Sequence, residues 1–212
     1  MKVILINGSP NKNGCTYTAL SIVAEEIEKN GIETEIIYAN EKEVRHCTAC
    51  RHCIRTKEGR CVFDDDLVNE TSEKITAADG LILGAPVHFS SMASIASAFF
   101  CRLFYPSYRI SGKFAHKPGA AVVCCRRGGG TATYEQIMKY FAVAEMPIVS
   151  SMYWNIIHGN KPEDIMRDDE GVQTLRILGR DMAWLLKSIE AGKKSGIPAP
   201  PIEAKVRTDF IR

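Results

Sequence analysis

Residues 2–16 read KVILINGSPNKNGCT, and they decide the fold. Val3 to Ile6 is an unbroken apolar run, closed by Asn7, Gly8, Ser9 and Pro10. A strand with one wet face alternates apolar and polar residues. An unbroken run is the pattern of a strand buried on both faces, and such strands belong to parallel sheets. A helical period follows, with Leu20, Val23, Ala24 and Ile27 three and four apart within residues 16–30, and Gly31 as the stop. Residues 32–39, IETEIIYA, read as a second strand.

The alternation continues downstream. Residues 65–78 predict a helix, GLILGAP (80–86) a strand, and residues 92–103 an apolar helix. GAAVVCC (119–125) is a further buried strand, residues 131–141 a helix, and MPIVSS (146–151) a last short strand. Val172, Leu175, Leu178, Met182, Leu185 and Ile189 form the stripe of a long helix over 171–191. Five apolar strands alternating with helices predict an α/β fold, a doubly wound five-stranded parallel sheet in three α/β/α layers. It spans residues 1–191, with a cysteine-rich insertion at 45–62. Residues 192–212 carry Pro198, Pro200 and Pro201 and read as an extended tail.

The 212 residues suit one such domain. Apolar residues make up 45% and charged residues 25% of the chain, the mix of an ordinary globular protein. A net charge of +2 argues against nucleic acid or an anionic membrane as partner. No apolar run reaches the ~18–20 residues that span a bilayer, and MKVILIN is too short for a signal-peptide core. The expected location is the cytoplasm, where clustered cysteines are ligands or redox groups more often than structural disulfides.

In a doubly wound sheet, ligands sit beyond the carboxyl ends of the strands. Three loops fall there. The first, residues 7–16, offers Ser9, Lys12, Gly14 and Thr16 ahead of a helix, which suits a phosphate or a plain capped turn. It is neither a nucleotide P-loop nor Gly-x-Gly-x-x-Gly. The second, GAPVHFSSMAS (84–94), has Pro86 to stiffen it, with His88 and Phe89 as candidates to meet a flat ligand. The third, CCRRGGGTATYEQI (124–137), places Arg126 and Arg127 before Gly128, Gly129 and Gly130. Three glycines in a row make sense where backbone must approach a ligand or adopt positive φ.

The insertion holds Cys47, Cys50, Cys53 and Cys61, half of the eight cysteines, separated by two, two and seven residues. Four thiolates can close round one soft metal site or iron–sulfur cluster. The first two gaps share their middle cysteine, unlike the paired arrangement of most zinc sites. They match the start of a bacterial ferredoxin run, although the last gap is longer. A cluster, a zinc ion and a reversible disulfide all fit the spacing. Arg45, His46, Arg51, His52, Arg55 and Arg60 surround the thiols with cationic or protonatable groups that favour thiolates. Cys101, Cys124 and Cys125 lie in apolar runs and read as inert core residues.

GSPNKNGCT, GAPVHFSS and RRGGGTAT together resemble the loops of the flavodoxin-like NAD(P)H-dependent FMN reductases. The family's first loop usually reads Gly-Ser-Pro-Arg-x-x-Gly-Asn-Thr; here Asn11 replaces the arginine and Cys15 the asparagine. The cysteine motif after strand two resembles that of the iron–sulfur flavoproteins, a branch of that family in which it holds one [4Fe–4S] cluster near FMN. The resemblance covers about the first 190 residues. It implies strand order 2-1-3-4-5 and FMN at the carboxyl edge. FMN would contact Ser9, Asn11, Lys12, Gly14, Cys15 and Thr16; Pro86, Val87, His88, Phe89 and Ser90; and Arg127, Gly128, Gly129 and Gly130. Cys47, Cys50, Cys53 and Cys61 would ligate the cluster.

The implied activity is that of an FMN-containing oxidoreductase with NAD(P)H as cosubstrate. Its electrons would pass to a small-molecule acceptor or to a redox protein such as ferredoxin. Other readings are an electron carrier fed by ferredoxin and a flavin reductase without a cluster. Trp154 in YWNIIHG (153–159) reads as core packing, with the acceptor side as the alternative. The resemblance also implies a homodimer or homotetramer. Phe99, Phe100, Phe104 and Tyr105 add to that, as more apolar surface than one helix face buries.

Overall fold

The computed structural model describes residues 1–110, 112–204, 206 and 208–210, with residues 108–110 as backbone. In chain order the elements are β1 (Lys2–Asn7), α1 (Cys15–Glu28), β2 (Glu33–Tyr38), α2 (His52–Arg55), α3 (Val68–Ala77), β3 (Gly80–His88), β4 (Ser91–Met92), α4 (Ser94–Ile110), β5 (Gly119–Cys125), α5 (Gly130–Val143), β6 (Ile156–His158), α6 (Pro162–Ile165) and α7 (Asp169–Lys194). The parallel strands run β2-β1-β3-β5-β6, with β4 turning back antiparallel on the end of β3. Counting only the parallel strands, this is the order 2-1-3-4-5 that the resemblance implies, in the doubly wound parallel sheet that the sequence predicts.

The unbroken run at β1 has its explanation in two cores. Val3 and Leu5 pack with Leu20, Val23, Ile27, Leu175, Leu178 and Met182 under α1 and α7. Ile4 and Ile6 pack on the other side with Ile75, Phe99, Phe100 and Phe141 from α3, α4 and α5. Successive side chains of a strand point to opposite faces, so every position must be apolar when both faces are covered. Val3 pairs with Thr34 on β2 and with Gly80 on β3, so the strand order reverses around β1. The crevice at the carboxyl end of this reversal is where such folds bind ligands. Close backbone approach there demands glycine. A Cβ on Gly8 would lie 2.7 Å from the Ala96 Cβ and 2.9 Å from the Gly84 carbonyl.

The fifth parallel strand departs from the expectation. Residues 146–151 meet the sheet in one isolated bridge, Ile148 opposite Gly119, where the Pro147 carbonyl accepts from the Gly119 amide and the Val149 amide donates to the Gly119 carbonyl; the strand proper is Ile156–His158 beside Val123–Cys125. Where the chain leaves the sheet, Ser151 Oγ lies within hydrogen-bond reach of two acceptors, Asn155 Oδ1 at 2.6 Å and the Tyr153 carbonyl at 2.8 Å, and the Asn155 carbonyl then accepts from the Val123 amide. Helix α4 runs beyond residue 103 and through Pro106, where the Ser107 hydroxyl donates to the Leu103 carbonyl. The tail from Ser195 to Ala204 has no regular structure; residues 205, 207, 211 and 212 lie outside the described residues.

The aromatic argument for a second subunit does not hold. Phe99, Phe100 and Phe104 are 0–2% exposed within one chain: Phe99 stacks edge-on against Phe100, Phe100 against Tyr140, and Phe104 against Phe114 and Phe141. No helix among the described residues is long and apolar enough to cross a membrane.

Helices α1 and α7 cross closely. A Cβ on Gly179 would meet the Glu26 Cβ at 2.7 Å. Beside this contact the nearly buried Glu26 carboxylate accepts from Lys29 Nζ and Arg180 Nε, both at 3.0 Å. Lys29, with help from Arg180 and against the cost of burial, holds the Glu26 carboxyl below its ordinary range. A depressed carboxyl stabilises the fold above its unfolded pKa and ceases to as pH falls through the folded value. Glu26→Gln should therefore lower stability by ~1 kcal/mol at neutral pH. Denaturant melts of variant and wild type should converge as pH drops below the carboxylate range.

Candidate functional site

The first loop is organised by a residue that sequence reading passed over. Asn7 is fully buried at the end of β1; its Nδ2 donates to the Lys12 carbonyl at 2.9 Å and its Oδ1 accepts from the Ser9 amide. Ser9 Oγ, also buried, accepts from the Asn11 amide at 3.0 Å. The loop thus curls into the start of α1. No side chain caps that helix, and no acidic residue occupies its first turn. Its N-terminus keeps the positive end of the helix dipole for an anion. Thr16 Oγ1, in this first turn, is buried without a hydrogen-bond partner, its polar neighbour being the Cys124 thiol. Burial raises that thiol far above its ordinary value. A buried hydroxyl without an oxygen or nitrogen partner is costly.

Residues 10–15 face Asn160, Lys161 and Pro162 across an open cavity of ≈ 470 Å³. Lys12 lines this cavity with its Nζ engaged, 2.6 Å from the Glu41 carboxylate and above the Tyr38 ring. Lys161 adds a second cation to the lining, from a segment that nothing in the sequence ties to the first loop. Cys15 is half-buried and its thiol is raised, chiefly by burial.

The second loop is strained at its tip. Phe89 (φ 48°) and Ser90 (φ 58°) both take left-handed conformations, uncommon for residues other than glycine and typical of functional loops. The Phe89 ring is fully exposed to solvent. Pro86 and Val87 lie on β3 just before the tip, and His88 is its last, exposed residue. Gln136 of α5 locks the turn: its Oε1 accepts from the Met92 amide at 3.0 Å and its Nε2 donates to Ser91 Oγ at 2.9 Å.

The third loop abuts the second. A Cβ on Gly129, at φ +86°, would lie 2.6 Å from the Ser90 Cα. Gly128, by contrast, faces open space. Arg127 and Gly128–Gly130 line a cavity of ≈ 420 Å³ with Tyr153, Trp154, His158 and Asp168. Trp154 is half exposed and edge-on to Tyr153 at 4.5 Å, so it is not core packing. Asp168 Oδ2 accepts from the His158 amide at 2.7 Å and lies 3.2 Å from His158 Nδ1, while Oδ1 caps α7 through the Gly171 amide. Burial opposes the Asp168 charge, but these amides hold its carboxyl below the ordinary value.

The four cysteines of the insertion meet in one pocket. Cys47, Cys50, Cys53 and Cys61 line it with Arg51, Phe63, Arg102, Tyr105 and Pro106. The loop turns through left-handed Ala49, Arg51, Lys57 and Gly59 to bring them together. Cys53 is buried and Cys50 exposed at the rim. Burial raises the Cys53 thiol first, and proximity to Cys61, Cys47 and Cys50 adds to the shift. The flanking arginines are partly spoken for, Arg45 by Asp65 and Arg60 by Asp64 and Glu73. Cys101 is not a fully buried core residue: it is half-buried beside Cys47, and burial first, then that neighbour, raises its thiol. The space between the thiols is ≈ 20 Å³, and among the described residues no three metal-ligating side chains already stand at ligating distance.

A doubly wound sheet with polar loops at its β1/β3 crevice defines a flavodoxin-like protein. The chain belongs to the NADPH-dependent FMN reductase family, which matches residues 1–161, and is a flavoprotein oxidoreductase. It is 35% identical to an iron-sulfur flavoprotein of Methanocaldococcus jannaschii, over 90% of this chain and all of that one. An iron-sulfur flavoprotein of Methanosarcina thermophila is 29% identical over 91% of this chain and 99% of its own. Among solved structures, an archaeal flavodoxin superposes with a TM-score of 0.58 at 15% identity, covering 88% of this chain and 99% of that one. A flavone reductase does so at 0.67 and 16%, covering 90% and 64%.

Thr16→Val keeps the side-chain shape and removes the orphaned hydroxyl. If that hydroxyl meets the FMN phosphate, a lost hydrogen bond to a charged group of about 1.5–3 kcal/mol weakens FMN roughly ten- to hundredfold. Fluorescence titration of apoprotein with FMN measures this, and unchanged affinity would leave the hydroxyl to Cys124 alone.

Proposed function

We propose that this chain is an NAD(P)H-dependent FMN oxidoreductase whose four-cysteine pocket holds one [4Fe–4S] cluster. The observation that carries the reading is the convergence of Cys47, Cys50, Cys53 and Cys61 on one pocket. It lies on an insertion apart from the three loops at the carboxyl edge. The names of the curated relatives support the cluster, and the family name supports the nicotinamide. When bound, FMN supplies two-electron chemistry and the cluster one-electron chemistry.

The chain's own residues divide the work. The uncapped start of α1, with Thr16 and Lys161, receives the phosphate. The Phe89 tip and the Gly128–Gly130 backbone border the ring, with Gly128 leaving room for close approach. Tyr153 and Trp154 wall the cavity beyond, open to a nicotinamide or a small-molecule acceptor. As thiolates the four would hold iron in place of protons, and its charge would offset both the burial that chiefly raises the Cys53 thiol and the neighbouring cysteines that add to the shift. The small space between them, ≈ 20 Å³, means that binding a cluster would rearrange these side chains. Exposed Cys50 leaves one corner open to a redox protein such as ferredoxin.

Anaerobic mixing with NADH or NADPH should bleach the flavin absorbance. Serine at Cys47, Cys50, Cys53 or Cys61 should abolish the cluster, leave FMN bound and keep that bleaching, while electron transfer to a one-electron partner slows. A flavin reduced by ferredoxin but by neither nicotinamide would make the protein an electron carrier instead.

A further inference from the structure

We infer that Arg102 is the positioning residue of the cysteine site, holding the Cys61 sulfur and both ends of the insertion and raising the potential of the group those thiols bind. This rests on the cluster reading proposed above. Arg102 sits in the apolar run AFFCRLF of α4, and its side chain is completely buried. A buried arginine must find partners for a full charge and five N–H groups.

All five are satisfied, and every partner belongs to residues 45–66. Nε donates to Cys61 Sγ at 3.2 Å. Nη1 donates to the Arg45 carbonyl at 3.2 Å and to Asp66 Oδ2. Nη2 donates to the Phe63 carbonyl at 3.2 Å and to Asp66 Oδ1 at 3.3 Å. The guanidinium also lies 5.2 Å from the centre of the Phe63 ring. Arg45 precedes the first cysteine, and Cys61 and Phe63 close the insertion, so one planar fork ties its entry to its exit. Lysine, with one ammonium on a flexible stem, cannot span that set.

Asn69 fixes the backbone of the same cysteine. Its Oδ1 accepts from the Cys61 amide at 2.9 Å, and its Nδ2 donates to the Cys61 and Phe63 carbonyls at 3.0 Å. Cys61 is therefore held at main chain and sulfur alike, whereas Cys50 stands exposed at the rim. An N–H directed at a ligand sulfur stabilises the more negative, reduced state of a cluster and so raises its potential.

The test compares wild type with two variants, purified without oxygen, by redox titration of the cluster, iron assay and FMN content. Arg102→Met with Asp66→Asn removes both buried charges together, avoiding an unpaired one. It keeps an acceptor for the Val68 amide that Asp66 now caps. Arg102→Lys keeps the charge and loses the fork. Both should bind FMN as wild type does. In both the cluster should hold its electron about tenfold less tightly, a fall of ~59 mV for a one-electron couple, or be lost outright with FMN retained. Wild-type potential and iron content in both variants would overturn the inference and leave the cluster reading standing. Loss of FMN in both would overturn it too, by making Arg102 a residue of the whole fold. Wild type without iron would overturn the cluster reading itself, and the inference with it.

Discussion

A parallel sheet covered on both faces makes polar groups costly in its interior, and the rest of this molecule follows from that constraint. Val3 to Ile6 serve two cores at once, so β1 can contribute chemistry only where it ends. Asn7 is the first polar residue past the apolar run and is fully buried, yet both ends of its amide find partners in the loop that follows. The sheet thereby shapes the first loop directly. The same logic sets the second and third loops, where β3 and β5 run out and Gly129 lets them touch.

The insertion after β2 obeys a different rule. Among the described residues none of 45–62 joins either core, and polar contacts tie the insertion to the domain. Arg102 and Asp66 form a buried ion pair beneath it, with Asn69 and Phe63 alongside. A buried pair of this kind is weak support for stability, because both charges give up water. Its geometry is what it contributes. Five directed N–H groups fix two distant points of a loop that otherwise turns through left-handed residues.

The fold was legible in the sequence because burial on both faces leaves a long, unambiguous apolar signature. The edge strand was not, since Ile156–His158 is three residues long and stands apart from Ile148 on the same sheet edge. The three loops could be read from their glycines and hydroxyls, and the cysteines from their spacing. Gln136 and Lys161 could not, because what they face lies far along the chain, and Asn7 could not, because an asparagine closing a strand reads as an ordinary turn residue although its partners Ser9 and Lys12 are local. Arg102 did leave a signal. A charged residue in AFFCRLF, with Phe99, Phe100, Leu103 and Phe104 all buried, has to be paired inside the protein. The partner could be known only once α4 was seen against residues 61–66. Lys12 shows the reverse case: it stands in the expected loop, yet Glu41 and Tyr38 engage it.

The central claim is that one chain gathers a flavin at its carboxyl edge and an iron–sulfur cluster on its insertion. The most direct measurement is the iron, acid-labile sulfide and FMN content of protein purified without oxygen. The account predicts about four iron and four sulfide for each FMN, with Cys47, Cys50, Cys53 and Cys61 protected from alkylation. FMN bound to a protein without iron, with all four thiols open to the reagent, would contradict it.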